Sequence, residues 1–302
     1  MSHGIAHTAP RSEALRGHAA MLLFSALVAG SFSLGVRAAN LIDPAAINAA
    51  RFVIAAAVIG GYAMTFGPGL PRSAWTSPWR YLLLGGVFAT YFVLMFEGLK
   101  TAPPVSAAAV FTLTPLMAAG FGWLLMRQRM TPNIAFALAL GGAGAMWVIF
   151  RGDLAAMARL DFGRGEAIYL LGCAAHALYT PLVRRLNRGE HPVTFSFGTL
   201  IAGAILLLIW GWDAILATDW TNLPPIVWIT LGYIAVFASA TSFVLVQYAT
   251  LRLPAAKVMA YTYLTPIWVI AIEAIVAQTQ PGMVILPGVV ATVIALTLLL
   301  RD

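Results

Sequence analysis

The feature that most constrains this chain is a succession of long apolar runs separated by short polar breaks. A helix needs about 20 predominantly apolar residues to cross the hydrocarbon core of a bilayer. Ten runs meet this requirement, and they cover residues 18–36, 44–66, 78–98, 103–126, 132–150, 164–185, 192–212, 224–249, 254–278 and 282–300. The sequence therefore predicts an all-α polytopic membrane protein with ten transmembrane helices.

Composition supports hydrocarbon as the solvent for most of the chain. Its 302 residues are 61% hydrophobic and 10% charged, whereas a soluble domain is about 45–50% apolar and about 25% charged. A soluble surface with so little charge would associate and precipitate. The connections are too short for a separate soluble domain. We expect a cytoplasmic tail at 1–17 and one membrane domain with halves at 18–151 and 164–302.

The distribution of basic residues predicts the orientation. If the N-terminus is cytoplasmic, the cytoplasmic segments hold eleven Lys and Arg residues and the outer loops hold five, while Arg51 and Lys257 lie inside spans. This excess follows the positive-inside rule and places both termini in the cytoplasm. It also explains the net charge of +7 without a nucleic-acid partner. The single cysteine, Cys173, excludes an intramolecular disulfide, and we predict neither a metal site nor a cofactor.

The two halves of the chain resemble each other. A shift of 151 residues places Leu-Thr-Pro at 113–115 on Leu-Thr-Pro at 264–266, and Pro103 on Pro254. Each half contains five helices, and because five is odd the second half enters the membrane from the opposite side. The sequence thus predicts two five-helix inverted repeats. This arrangement is typical of secondary transporters, whose substrate site lies near the bilayer midplane.

Several motifs carry a resemblance to a known family. They are AGSFSLG (29–35), NAARFVIAA (48–56), GEAIYLLGCAAHALYTPLVRRL (165–186), and the paired segments GLKTAPPVSAAAVFTLTP (98–115) and TLRLPAAKVMAYTYLTP (250–266). In order and spacing they resemble the EamA-like ten-helix members of the drug/metabolite transporter superfamily. The resemblance implies transport by alternating access, amino acids as substrates, export as the direction, and the bacterial inner membrane as the location. One departure is that the family's glutamate after the central proline is Gln128 in the first half and Thr279 in the second.

Pro115 and Pro266 lie near the middle of the fourth and ninth spans. A proline inside a helix removes one backbone hydrogen bond and kinks the helix. In lipid the freed carbonyl needs another donor, and we expect Thr114 and Thr265 to supply it. Two interpretations stay open: a paired flex point that lines a central path, or two static kinks that shape packing.

Glu273 is an acidic side chain in the outer third of the ninth span. Facing lipid it would cost several kcal/mol, so we expect it to face the bundle interior. Arg51, in the second span, lies at a similar depth, and an ion pair between the two is the preferred arrangement. The pair could close the outer end of a cavity, bind the charged groups of a zwitterion, or only hold two helices together.

His176 is the least ordinary residue of the sixth span. At mid-depth it could bind substrate, relay protons, or only donate a hydrogen bond to a helix carbonyl. A mixture of aromatic and hydroxyl groups at similar depth suits a ligand with apolar and polar parts. The predicted cavity residues are His176, Tyr179, Thr241, Ser242, Tyr261, Tyr263 and Trp268.

The fifth and tenth spans carry almost no polar residues, so we place them outside the cavity, facing lipid or a second copy in a homodimer. An enzyme would need a convergent catalytic set, and the sequence offers none. The inverted repeats and the polar residues at mid-depth favour a secondary transporter or facilitator for a small-molecule substrate. The alternative is a structural or assembly subunit of a membrane complex.

Overall fold

The computed structural model describes residues 11–128, 131–159, 162–276, 278 and 282–301. Within these ranges the chain forms helices, turns and loops, and no strand. Ten of the helices are long and apolar enough to cross a membrane, as the sequence predicts. We number them spans 1 to 10: Ser12–Ala38, Pro44–Thr65, Trp79–Leu99, Pro104–Met126, Pro132–Ile149, Arg164–Leu186, Pro192–Trp210, Pro225–Thr250, Lys257–Val276 and Met283–Arg301.

The sequence sets where many spans begin. Five of them start with a proline, because its missing N–H would be unbonded in the first helical turn anyway. These residues are Pro44, Pro104, Pro132, Pro192 and Pro225. Asp43 also caps span 2, since its carboxylate accepts a hydrogen bond from the N–H of Ala45 at 2.7 Å.

The spans pack in related pairs. Span 3 lies against span 6, and span 8 lies against span 1 in the equivalent way. Spans 2 and 7, 4 and 9, and 5 and 10 pack against each other. These are the pairings expected if spans 1–5 and 6–10 are equivalent repeats. The inversion of one half relative to the other stays a prediction.

Span 4 is interrupted next to Pro115. It consists of the helices Pro104–Phe111 and Thr114–Met126, so Pro115 occupies the first turn of the second helix. The hydroxyl of Thr114 donates to the carbonyl of Phe111 at 2.5 Å. This is the carbonyl that an N–H at position 115 would have bonded, and Thr114 supplies the missing donor as expected.

Spans 8 and 9 are also interrupted. Span 8 contains a π-helical segment, Val236–Thr241, between the helices Pro225–Ala235 and Ser242–Thr250. Span 9 changes to a 3₁₀ turn at Tyr261–Leu264, directly before the helix that contains Pro266. Here the predicted donor is not used, because the buried hydroxyl of Thr265 has no hydrogen-bond partner. The two equivalent prolines therefore sit in different local structures.

Polar contacts fasten the loops at the end of the bundle where span 1 begins, which we call the N side; the other end is the far side. The buried guanidinium of Arg80 donates to Glu190 at 2.7 Å and to the carbonyl of Leu186 at 2.6 Å. Arg188 donates to Ser77 at 2.9 Å. Burial raises the pKa of the Glu190 carboxyl, but bonds from Arg80 and from backbone N–H groups outweigh it, so the pKa lies below its usual value.

These contacts place the loop before span 3 and the loop after span 6 at one end of the bundle. On a Cys173→Ala background, a cysteine at Arg72 or at Asn187 should react with a membrane-impermeant thiol reagent from the same face of the membrane. A cysteine at Ala156 should react only from the opposite face. The wild-type chain, whose single cysteine Cys173 is buried, provides the unlabelled control. Labelling of residues 72 and 187 from opposite faces would rule out the ten-span topology.

Candidate substrate-binding site

A layer of aromatic rings crosses the bundle at the mid-depth of spans 3, 4 and 6. His176 lies at its centre, with its ring centroid 4.6 Å from that of Tyr91 and 5.2 Å from those of Phe88 and Phe111. All four side chains are buried. The layer connects spans from both halves of the chain through ring contacts of the kind that stabilise protein cores.

The central space is the gap beside this layer, and it is closed. It is bordered by spans 1, 3, 6 and 8 through residues that include Ser31, Phe92, His176, Ala238 and Ser242. It measures about 10 Å³, room for one water molecule and too little for an amino acid. A substrate therefore contacts His176 only if the surrounding spans move apart.

Polar atoms at the central space lack partners. Neither Nδ1 of His176 nor the hydroxyl of Ser31 has a hydrogen-bond partner. Leaving a buried polar atom unbonded costs about 1–3 kcal/mol. No helix carbonyl binds this nitrogen. The roles of His176 in substrate binding or proton relay stay predictions. Both atoms are available to a molecule bound in the central space.

Arg51 is fully buried beside the same region. Its Nε donates to the hydroxyl of Ser239 at 2.5 Å, and one Nη donates to the carbonyl of Ala238 at 3.0 Å. The guanidinium carbon lies 3.4 Å from the centre of the Phe92 ring, a cation–π contact. Arg51 thus joins span 2 to the π-helical segment of span 8.

The predicted ion pair between Arg51 and Glu273 is wrong. Glu273 binds Arg37 instead, with N–O distances of 2.9 and 3.2 Å. The reason lies in the packing: the part of span 9 that contains Glu273, Thr265–Val276, packs on spans 1 and 4, whereas span 2 contacts spans 3, 7 and 8. The sequence suggested that Arg37 lies in the loop after span 1. In the structure it belongs to the last turn of that span. The burial of Glu273 in the bundle is as predicted.

An open cavity of about 530 Å³ lies on the far side, next to this pair. Its lining includes Ser106, Arg151 and Glu273 and combines polar and apolar groups. Pockets for small molecules commonly measure about 300–1,000 Å³, so an amino acid would fit. Ser106 donates to Glu166 at 2.8 Å. On the same helix Phe111 lies five residues further, about 7.5 Å deeper, in the aromatic layer.

Of the other predicted cavity residues, Ser242 borders the central space. Tyr179 packs on Phe88 with ring centroids 4.2 Å apart, and its hydroxyl accepts from Gln247 at 2.7 Å. Thr241 donates to the carbonyl of Val236 within the π-helical segment. The structure therefore brings Ser242 and His176 to one space and places Tyr179 directly behind Phe88.

The three aromatic residues of span 9 lie elsewhere. Tyr261 shares a 3.1 Å hydrogen bond with His18 near the N side. Tyr263 belongs to a separate core cluster between spans 5 and 10, where its ring contacts Gly141. Trp268 is partly exposed, and its indole N–H donates to Ser25. None of the three borders the central space.

Four important residues escaped sequence reasoning: Phe88, Tyr91, Phe111 and Arg37. The three aromatics are indistinguishable in sequence from ordinary core residues, because aromatic side chains are common in apolar spans. Arg37 could have been found. The four residues before it, Ser33 to Val36, are all compatible with a helix that continues to the turn before Asp43.

These observations define the class: a multi-pass membrane protein of ten helices with a closed aromatic and polar centre. The model of the EamA-like transporter family matches the chain twice, over residues 15–150 and 163–301. The chain belongs to this family. The two matches correspond to the two halves predicted from the sequence repeat.

Individual relatives extend this result. The chain is 26% identical over 250 residues to the "Uncharacterized transporter YyaM" of Bacillus subtilis, covering 82% of this chain and 81% of that protein. It is 32% identical over 137 residues to the "Aromatic amino acid exporter YddG" of Ancylobacter novellus, covering 45% of each. A solved structure described as "Crystal structure of protein" matches with a TM-score of 0.70 at 21% identity, covering 96% of this chain and 98% of that one. This last likeness supports the fold alone.

The pair between Arg37 and Glu273 should stabilise the contact of spans 1 and 9. Glu273→Gln and Arg37→Gln should each lower the melting temperature of the purified protein, because each leaves a partly buried charge without its partner. The loss in the free energy of unfolding should fall between two limits. Exposed pairs contribute about 0–1 kcal/mol, and breaking a buried pair costs about 3–5 kcal/mol. The double variant should lose less than the two single variants together.

Glu97→Gln is the matched control. It removes the pair with Lys100 on the same side of the bundle, which is more exposed than the Arg37–Glu273 pair and has an N–O distance of 2.6 Å. It should change the melting temperature little. Additive losses in the Arg37 and Glu273 double variant would show that the two side chains do not interact.

Proposed function

We propose that this protein is a secondary transporter or facilitator that carries small metabolites, with amino acids as the substrate class, out of the cell across the bacterial inner membrane. Both termini lie in the cytoplasm, as the basic residues indicate. Membership of the EamA-like transporter family supports transport, and the family resemblance supports export.

The observation that carries the proposal is the composition of the central layer. Aromatic rings of Phe88, Tyr91 and Phe111 provide an apolar surface, and Nδ1 of His176 and the hydroxyl of Ser31 provide unbonded polar atoms. A zwitterion with an apolar side chain has matching parts. The partial relative named as an aromatic amino acid exporter agrees with this chemistry.

The distribution of space suggests how transport proceeds. The central space is closed, and an open cavity lies on the far side beside Glu273. Separation of spans 1 and 9 at the Arg37–Glu273 pair would connect the two. Movement of the opposite ends of the spans would open the centre to the N side. This is alternating access, with the pair acting as a gate on the far side.

A homodimer through spans 5 and 10 is part of the proposal. The two spans pack on each other at Gly144 and Gly288, where an added methyl group would meet backbone atoms at 2.6 Å. They are the least buried of the ten spans and lie away from the central space. Their outer faces are available to lipid or to a second copy.

Counterflow tests the function directly. The purified chain, reconstituted in liposomes loaded with an unlabelled amino acid, should accumulate the same labelled amino acid in the absence of any ion gradient. His176→Phe keeps a ring but removes the polar nitrogen, so exchange should fall at least tenfold. Tyr263→Phe, a change in the core between spans 5 and 10, should exchange at the normal rate. If no compound in a panel of amino acids and other metabolites exchanges, the structural-subunit alternative replaces transport.

The proline pair generates a second prediction. Pro115→Ala and Pro266→Ala should each allow a continuous helix through the present interruption. Counterflow should slow several-fold, while the melting temperature stays within a few degrees, because a flex point is lost and packing is kept. Pro104→Ala, at the first position of its helix, serves as the control and should change neither. Normal rates in both variants would identify the interruptions as packing features.

A further inference from the structure

Arg51 is a buried cation without an anion. Its side chain has no exposed surface, and among the residues that the structure describes no carboxylate lies within 4 Å of its nitrogens. Buried charges in proteins are normally paired, because desolvation of an unpaired charge costs several kcal/mol. Arg80, which is also buried, follows this rule through its pair with Glu190. Arg51 is the exception.

The acceptors of Arg51 are all neutral, and they do not use all of its N–H donors. Its guanidinium has five N–H donors. Three are used, by the hydroxyl of Ser239, the carbonyl of Ala238 and, at 3.5 Å, the amide oxygen of Asn48. One N–H on each Nη remains without an acceptor. A carboxylate binds two guanidinium N–H groups side by side, and more strongly than neutral oxygens do, so it would displace neutral acceptors and supply the missing charge.

The position of Arg51 connects it to the central space. Phe92, on which its guanidinium stacks, borders that space, and so does Ala238, whose carbonyl it binds. Arg51 therefore contacts two residues that line the space where His176 and Ser31 have unbonded atoms. A ligand in the central space would lie next to residues that hold the guanidinium.

We propose that Arg51 is the receptor for the carboxylate of the transported molecule. The inference rests on the proposed function, and it names the group of the substrate that the site selects. In the closed structure Ser239 and Ala238 occupy two of the guanidinium donors. The substrate's carboxylate takes their place when it binds.

The exchange has a consequence for span 8. Ser239 and Ala238 belong to the π-helical segment Val236–Thr241, and such segments are common at functional sites. Arg51 holds this segment against span 2 through both contacts. When the guanidinium binds a substrate carboxylate in place of Ser239 and Ala238, the π-helical segment is released from span 2. Substrate binding is thereby coupled to the conformation of span 8.

A structural role for Arg51 predicts different behaviour. If Arg51 only joins spans 2 and 8, removal of Ser239 weakens the bundle and leaves ligand selectivity unchanged. If Ser239 competes with a carboxylate for Arg51, its removal strengthens the binding of carboxylates. The hydroxyl is thus the point at which the two roles can be separated.

The test measures how ligands raise the melting temperature of the purified full-length protein, which needs no transport assay. The probes are L-phenylalanine against phenethylamine, and phenylacetate against phenylacetamide, so that each pair differs in its carboxylate. For the wild type, the carboxylate of each pair should bind at least tenfold more tightly, the size of one charge-assisted hydrogen bond. Arg51→Gln should abolish this preference, and Arg51→Lys should keep part of it. Ser239→Ala should increase it.

The outcomes separate the possibilities. A wild type without carboxylate preference, or a folded Arg51→Gln variant that keeps it, overturns the proposal. If Arg51→Gln does not yield a monodisperse protein, Ser239→Ala decides: an increased preference supports the proposal, and an unchanged one overturns it. If counterflow fails for every compound while a preference that depends on Arg51 persists, the proposed transport function falls and the carboxylate site stands.

Discussion

The whole structure depends on the inability of hydrocarbon to form hydrogen bonds. Every backbone N–H and C=O of a spanning segment must find a partner inside the protein, which restricts this chain to helices. The interruptions of spans 4, 8 and 9 lie where these spans pack against other spans. At Pro115 the hydroxyl of Thr114 replaces the lost donor, so the carbonyl of Phe111 keeps a hydrogen bond. The interruption of span 8 borders the central space through Ala238.

The same constraint governs the charges. Three arginines of the bundle are accommodated in three ways: Arg80 with a carboxylate and carbonyls, Arg37 with Glu273 near one end, and Arg51 with neutral oxygens and an aromatic ring. The first two are complete pairs that fasten helix ends. The third is incomplete and lies at the centre. This difference in completeness is the reason for proposing Arg51, and not Arg37 or Arg80, as the residue that binds a ligand.

In the proposed transport cycle, the closed centre and the open far-side cavity belong to one conformation. The aromatic layer around His176 is packed too tightly to admit an amino acid, and it has the unbonded atoms that would bind one. In the proposed transport cycle, such a site forms by motion of whole spans. Of the interrupted spans, span 8 borders the central space and span 4 contributes Phe111 to the aromatic layer, and interruptions are where a helix changes direction at least cost.

The sequence by itself determined the ten spans, the breaks at Pro115 and Pro266 and the burial of Glu273. These follow from local rules: the length of an apolar run, the missing N–H of proline, and the cost of charge in lipid. Only the tertiary structure decided that Glu273 meets Arg37 and that Arg51 meets Ser239. The depth of a residue can be read along one helix, and both arginines had a depth compatible with Glu273. The neighbours of a helix depend on the packing of all ten, because side chains from distant parts of the chain meet only when the bundle has formed.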